Sequence, residues 1–252
     1  MLKKRVIPTL LFKDVGLVKG ISFDSWRRVG TAMQSVKVYN VRDVDELMFL
    51  DISATDAGRE PDYEAINELA DECFVPLTVG GGVRNIEDVR RLLLAGADKV
   101  AINSAAVDDT ELIARSANRF GSQCVVISID TKYVNGEHKV FTHSGKKETR
   151  WRACDWAKQA ENLGAGEILL TSIDRDGTMS GYDLGLIRSV VDNVSIPVIA
   201  SGGAGCYEDM EKALRVGGAS AVAAASIYHF TEQTPLEAKR YLKARGVPVR
   251  LF

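Results

Sequence analysis

The sequence predicts an α/β fold, a (β/α)8 barrel of the TIM type, built as one domain over residues 1–252. Two observations predict it. Short apolar runs rich in valine and isoleucine alternate eight times with longer amphipathic segments, and the second half of the chain repeats part of the first. Eight strand–helix units in succession are typical of a closed parallel barrel, which takes about 250 residues.

The strands are predicted near residues 5–11, 46–52, 75–80, 98–103, 123–130, 166–172, 196–200 and 220–225. The segments between them, such as IEDVRRLLLAGAD, carry apolar residues at helical spacing, and most end at glycine. One interruption is predicted after strand five. An Asn135–Gly136 turn between alternating segments indicates a β-hairpin inserted near residues 132–143.

The internal repeat relates the two halves of the barrel. The segment that begins PLTVGGG at Pro76 aligns with PVIASGG at Pro197, and DELMFLDI aligns with GEILLTSI, so that Glu46 matches Glu167. The repeat therefore predicts two half-barrels related by a two-fold axis, with two equivalent sites at the carboxyl ends of the strands.

Glycine loops follow predicted strands three and seven at matching positions of this repeat. Gly81–Gly82 and Gly202–Gly203 leave backbone N–H groups uncovered just ahead of a helix, an arrangement that binds anions. Strands four and eight end in Asn103–Ser104 and Ala225–Ser226, which add donors beside each loop. Glycines also serve simple tight turns, but two equivalent sets predict a phosphorylated small molecule with one phosphate in each half.

Four charged residues are predicted to meet at the other end of the barrel. Inward-facing residues alternate along a strand, which places Arg5, Lys99 and Glu167 at the start of three inward faces, with Glu46 opening strand two. Charges at this end of a barrel usually contribute only to stability. The residues alone leave open whether the group has a further role.

Five segments are shared with a known family, namely AGADKVAIN, RFGSQCVV, GAGEILLTSIDRDGT, SGYD and IPVIASGGAG. They resemble the cyclase subunit of imidazole glycerol phosphate synthase, the HisF family, and the likeness extends over essentially the whole chain. The resemblance implies a heterodimer in which a HisH-like glutaminase docks on the amino-terminal face of the barrel. Ammonia then crosses the barrel interior to a phosphorylated nucleotide, and no cofactor or metal takes part.

The resemblance also assigns roles to residues. The implied ammonia gate is formed by Arg5, Glu46, Lys99 and Glu167. The implied phosphate-binding residues are Gly81, Gly82, Asn103, Ser104, Gly202, Gly203, Ala225 and Ser226. Other residues implied on the substrate face are Lys19, Asp51, Thr78, Thr171, Asp176 and Ser201. Catalysis in the family rests on two aspartates, an acid and a base, at the ends of strands one and five, and Asp130 matches the strand-five member.

The strand-one aspartate of the family falls on Leu11, a degenerate catalytic position. Other departures cluster at Val15–Gly16 and at Arg27 to Ala32, in the mobile loop expected to cover the substrate. This pattern resembles a second, WbuZ-like HisF paralogue, found beside a glutaminase and an N-acetyl sugar amidotransferase in surface-polysaccharide loci. We therefore predict a subunit that supplies ammonia for amidination of a polysaccharide sugar. By resemblance it is a lyase, and Leu11 puts its own cyclase activity in question.

Three alternatives stay open. The first is an authentic cyclase of histidine biosynthesis, which makes imidazole glycerol phosphate and AICAR from ammonia and a phosphoribulosyl nucleotide. The second is a HisA-type sugar-phosphate isomerase, which uses a similar aspartate pair and leaves the four charged residues unexplained. The third is a structural partner that activates a glutaminase without conducting ammonia.

Composition argues against several other classes of protein. The net charge is −2, whereas nucleic-acid and anionic-membrane partners normally require a basic excess. The four cysteines are scattered without a CxxC pair, so neither a disulfide framework nor a zinc site is predicted. No apolar run approaches the roughly 20 residues that span a bilayer, and no signal-peptide core is evident, which predicts a cytoplasmic location.

Overall fold

The computed structural model describes residues 3–251. In chain order the strands are β1 (Arg5–Lys13), β2 (Gly16–Ile21), β3 (Asp24–Gly30), β4 (Leu47–Asp51), β5 (Leu77–Gly80), β6 (Lys99–Ile102), β7 (Val125–Val134), β8 (Glu137–Thr142), β9 (Lys147–Arg152), β10 (Glu167–Ser172), β11 (Val198–Ser201) and β12 (Ala221–Ala224). Strands β1, β4, β5, β6, β7, β10, β11 and β12 pair in parallel and close on themselves through the β12–β1 and β7–β10 pairings. The predicted (β/α)8 barrel is confirmed.

Helices connect the barrel strands and cover the barrel. They are α1 (Ala32–Asn40), α2 (Tyr63–Asp71), α3 (Ile86–Leu94), α4 (Ser104–Asp108), α5 (Glu111–Phe120), α6 (Ala153–Asn162), α7 (Leu184–Val191), α8 (Tyr207–Arg215), α9 (Ser226–Phe230) and α10 (Pro235–Ala244). Side-chain caps fix where several of them begin. The Asn85 side chain accepts the N–H groups of Glu87 and Asp88, and Asp183 caps α7 in the same way. Within residues 3–251 no helix combines the length and the apolar character needed to cross a membrane.

The core has two parts. The larger part fills the space between the outer faces of the strands and the helices. The smaller part, which we call the apolar layer, lies inside the barrel and consists of Ile7, Met48, Ala101, Val126, Leu169, Ile199, Ala221 and Ala223. Alternate residues of each strand point to opposite faces, so the same eight strands serve both parts.

Two barrel strands continue beyond the barrel into antiparallel pairs. Strand β7 pairs with β8 through a turn at Asn135 and Gly136, where φ is 50° and 88°, the left-handed conformations that a two-residue hairpin turn requires. This hairpin lies where the sequence predicts one. A further strand, β9, pairs with β8 and was not predicted.

The segment after β1 is also a hairpin. Strand β2 pairs with the end of β1 and with β3, so residues 16–30 form ordered antiparallel structure where the sequence analysis expected a mobile loop. The hairpin forms because β1 runs on to Lys13 and offers β2 a free edge. The hairpin places Phe23 and Trp26 over the mouth of the barrel.

Candidate functional site

A cavity of about 150 Å³ opens at the carboxyl ends of the barrel strands. This is the end at which barrel enzymes carry their active sites. Its walls come from the loops after β4, β5, β6, β10, β11 and β12, and the β2–β3 hairpin covers one side with Phe23 and Trp26. The cavity therefore lies directly above the interior of the barrel.

At the amino-terminal end, Arg5, Glu46, Lys99 and Glu167 form a closed charged ring. Glu46 accepts hydrogen bonds from Arg5 at 2.7 Å and from Lys99 at 2.9 Å. Glu167 accepts from Lys99 at 2.9 Å and pairs with Arg5 as well. The two glutamates are buried and the two cations are partly exposed, so the ring stands between the outer face and the apolar layer.

Above this ring, successive inward-facing residues of the strands line the barrel interior, two positions apart along each strand. Two residues beyond Arg5, Lys99 and Glu167, the same strands contribute Ile7, Ala101 and Leu169 to the apolar layer. Two residues further on, polar side chains line the floor of the cavity, namely Thr9, Asn103, Ser128, Thr171 and Ser201. The barrel thus joins a charged end to a polar cavity through an apolar middle.

Asp130 is a buried residue of the cavity, and the pKa of its carboxyl group is raised. Burial, reinforced by the negative charge of Asp176, raises the pKa of Asp130 to about 7, while hydrogen bonds from Thr171 and Asn103 act in the opposite direction. The Asn103 amide donates to the carboxylate at 2.7 Å. A carboxyl group with such a pKa can both give and take a proton near neutral pH.

Leu11 occupies the end of β1 on the cavity side. It pairs in register with Leu50 of β4, and both line the cavity. Ile52 and Val83 continue this apolar wall. The strand-one side of the cavity therefore presents hydrocarbon where the resemblance implies a carboxylate.

Lys19 and Asp176 form a buried ion pair that fastens the hairpin to the cavity. The Lys19 ammonium lies 2.5 Å from the Asp176 carboxylate, and the Lys19 side chain is only 2% exposed. The backbone N–H of Ser22 also donates to the Asp176 carbonyl at 2.8 Å. Because Lys19 and Asp176 are paired with each other, neither group could replace a carboxylate at position 11 without breaking this contact.

The two glycine loops lie on opposite sides of the cavity. Gly81 and Gly82 have φ of 103° and 72°, and Gly202 and Gly203 have φ of 90° and 108°. A Cβ atom at Gly81 would collide with the backbone carbonyl of Asp51. A residue with a side chain is therefore excluded at Gly81. The N–H group of Gly82 donates to the Thr55 hydroxyl at 3.3 Å.

Polar side chains lie beside the two glycine loops in each half of the cavity. The hydroxyl of Ser226 at the start of α9 and the carbonyl oxygen of the Asn103 side chain are buried and have no hydrogen-bond partner among the described residues. The Ser104 hydroxyl accepts one bond, from the backbone N–H of His143. Buried polar atoms without partners normally meet a ligand or water. Ala225 also lines the cavity.

Two of the residues that the resemblance places on the substrate face differ from that assignment, Thr78 in its position and Asp51 in its contacts. Thr78 lies at the opposite end, where its hydroxyl donates to Glu46 at 2.6 Å, so its placement on the substrate face was wrong. Asp51 reaches the cavity, but its Oδ1 atom accepts three bonds from Ser53 and Ala54 and so holds the turn after β4. Thr171 and Ser201 line the cavity as assigned.

Sequence reasoning missed Thr9, Ser128, Phe23 and Trp26. A signal existed for Thr9, because it shares an inward face with Ile7 and Leu11. For Phe23 and Trp26 there was none, since only the folded hairpin brings them over the cavity.

We expect Asp130→Asn to raise the free energy of unfolding at mildly alkaline pH by about 2–4 kcal/mol. The pKa of Asp130 is raised to about 7 in the folded protein, so the folded state holds a proton that the unfolded state releases near pH 4. The wild type alone therefore loses stability as the pH rises from about 4 to about 7, and the gain from Asp130→Asn should vanish as the pH falls towards about 4. Chemical denaturation at several pH values measures it, with exposed Asp155→Asn as the control. A gain that does not depend on pH would contradict this account.

Comparison with known families agrees with this geometry. The family described as "Histidine biosynthesis protein" matches residues 5–234, which include the barrel, the charged ring and every residue of the cavity discussed above. The protein is a (β/α)8 barrel that belongs to the histidine biosynthesis protein family.

Proposed function

We propose that this protein is the HisF-like synthase subunit of a glutamine amidotransferase complex. It receives ammonia from a HisH-like glutaminase at the amino-terminal face and passes it through the barrel, for amidination of a surface-polysaccharide sugar by an N-acetyl sugar amidotransferase. The observation that carries the proposal is the closed charged ring below an apolar layer and a polar cavity. Four buried or half-buried charges add little net stability at such a position, so a role in admitting a small molecule accounts for them better.

Exposed apolar residues on the same face support a docked partner. Val41 and Phe74 are each 80% exposed, and both lie in helix-to-strand connections next to the ring. The Asn40 side chain ties these connections together, because it accepts from the Phe74 N–H at 3.2 Å and donates to the Glu72 carbonyl at 2.6 Å. Leu94, the last residue of α3, and Val216, which follows α8, are also exposed at this end. Such residues are typical of a protein interface.

Leu11 directs the proposal away from cyclase chemistry. Proton transfer during ring closure needs one group that gives a proton while another takes it, and Asp130 has no partner on β1.

The remaining cavity favours a second candidate, the authentic cyclase of histidine biosynthesis. The two glycine loops and the unpartnered Ser226 hydroxyl suit a ligand with two phosphates, which that reaction requires.

Titration with the glutaminase encoded beside this protein tests the proposal. Calorimetry or size-exclusion chromatography should show a one-to-one complex, and Phe74→Asp should weaken it about 30-fold or more, as for an interface anchor. Tyr133→Asp is the matched control, because Tyr133 is 60% exposed on the opposite face of the barrel. Equal loss with both variants, or no complex with the wild type, would contradict docking on the amino-terminal face.

We expect inorganic phosphate to bind at two places in the cavity. One lies near Gly82 and Ser104 and the other near Gly203 and Ser226, since neither depends on β1. Crystals soaked in phosphate should show density at both, and Ser226→Ala should weaken only the second by roughly 2- to 10-fold, the effect of one hydrogen bond. Density at neither place would remove the support for a phosphorylated ligand.

A further inference from the structure

Four hydroxyl side chains form a layer between the apolar layer and the cavity. Thr9, Ser128, Thr171 and Ser201 each lie two residues beyond a member of the apolar layer on the same strand, and all four line the cavity. We call them the hydroxyl layer. A molecule that crosses the apolar layer from the charged ring meets these groups before it meets Asp130.

Thr9 is the unusual member of this layer. Its side chain belongs to a residue that is only 8% exposed, and its Oγ1 atom has no hydrogen-bond partner among the described residues. Leaving a buried hydroxyl unpaired is unfavourable, and valine would fill the same volume without that cost. The hydroxyl therefore points to a ligand at this level.

We propose that the hydroxyl layer binds one molecule of neutral ammonia, with Thr9 as its principal contact. The inference rests on the proposed function and names a holding site within it. Ammonia has one lone pair and three N–H groups, and a hydroxyl can donate to the lone pair and accept from an N–H at once. Each of the four hydroxyls that line the cavity at this depth offers that mixture of donor and acceptor.

The surroundings of Thr9 favour the neutral molecule over ammonium. Ile7 lies below Thr9 on β1 and Leu11 lies above it, so hydrocarbon borders the site along the strand. The Asp130 carboxylate, which Thr171 contacts, belongs to β7, so an ammonium ion at Thr9 would lose its hydration without gaining a carboxylate on β1. Leu11 thus acquires a physical role, because an aspartate at that position would attract the cation and supply the proton that makes it.

Amide NMR spectra during titration with ammonium chloride test the inference. At alkaline pH, where neutral ammonia is present, the signals of Thr9, Ser128 and Ser201 should shift and saturate, and at acidic pH they should not. The carboxyl group of Asp130, whose pKa is raised to about 7, also faces the cavity, as does the Lys19–Asp176 pair. Potassium chloride at each pH therefore provides the reference, and only shifts beyond that reference count as ammonia binding.

Two substitutions identify the contact. Thr9→Val keeps the shape and removes the hydroxyl, and it should weaken ammonia binding about 2- to 10-fold, as expected for one lost hydrogen bond. Thr9→Ser keeps the hydroxyl and should bind nearly as the wild type does. Shifts that potassium reproduces, that persist at acidic pH, or that Thr9→Val leaves unchanged would overturn the inference. Those outcomes would leave the glutaminase complex, and with it the proposed function, untouched.

Discussion

Lys99→Glu is expected to reduce glutamine-dependent transfer of nitrogen by about 100-fold, while transfer from added ammonium salt stays close to that of the wild type. Lys99 donates to both glutamates of the ring at 2.9 Å. The substitution would place three carboxylates against Arg5 alone, and their repulsion would rearrange or hydrate the inlet. Ammonium salt bypasses this route because it reaches the cavity from the carboxyl-terminal side.

The ratio of glutamine-dependent to ammonium-dependent product is the measurement, with the melting temperature recorded for each variant. Lys158→Glu is the matched control, since it makes the same charge change on α6, where Lys158 pairs with Glu161 on the surface. Lys99→Met provides a second variant if the glutamate form is too unstable, because it removes the charge without adding a third carboxylate. An unchanged ratio in a folded Lys99→Glu protein would show that ammonia does not pass the ring.

Leu11→Asp is expected to raise cyclase turnover by about 10- to 100-fold over the wild type, yet leave it below that of an authentic cyclase. The substitution restores a proton donor on β1, in the same cavity as Asp130. Recovery should be partial because the sequence also departs from the family that it resembles at Val15–Gly16 and at Arg27 to Ala32. In addition, Trp26 and Phe23 occupy the mouth of the cavity.

Leu11→Asn distinguishes a proton donor from a merely polar side chain, because it has a similar shape and does not titrate. Its turnover should remain at the wild-type level. Equal gains from asparagine and aspartate, or no gain from aspartate, would show that the missing acid is not what limits the reaction.

The barrel was predictable because its strands are short runs rich in valine and isoleucine that alternate eight times with amphipathic segments. The charged ring was predictable because alternate residues of each strand face the barrel interior. In the structure, ion pairs join all four of its members. The β7–β8 hairpin was predictable because asparagine and glycine readily adopt the left-handed conformation that a two-residue turn needs. Asn135 and Gly136 have that conformation in the structure.

Other features depend on contacts that the sequence does not display. Thr78 was misplaced because β5 begins at Leu77, which leaves Thr78 at the level of Lys99 rather than at the glycine loop. The β2–β3 hairpin was missed because its position depends on the Lys19–Asp176 pair, whose members are distant in the chain. The raised pKa of Asp130 likewise comes from burial and from Asp176.

The turnover of the wild-type protein with free ammonium salt and the phosphoribulosyl nucleotide tests the central claim most directly. If Leu11 has removed the acid of the cyclase reaction, imidazole glycerol phosphate should form at least about 100-fold more slowly than with an authentic cyclase. This loss corresponds to about 3 kcal/mol of barrier. Turnover in the ordinary enzymatic range, about 1 s⁻¹ or faster, would contradict the account. It would mean that another group supplies the proton and that the protein is a cyclase of histidine biosynthesis.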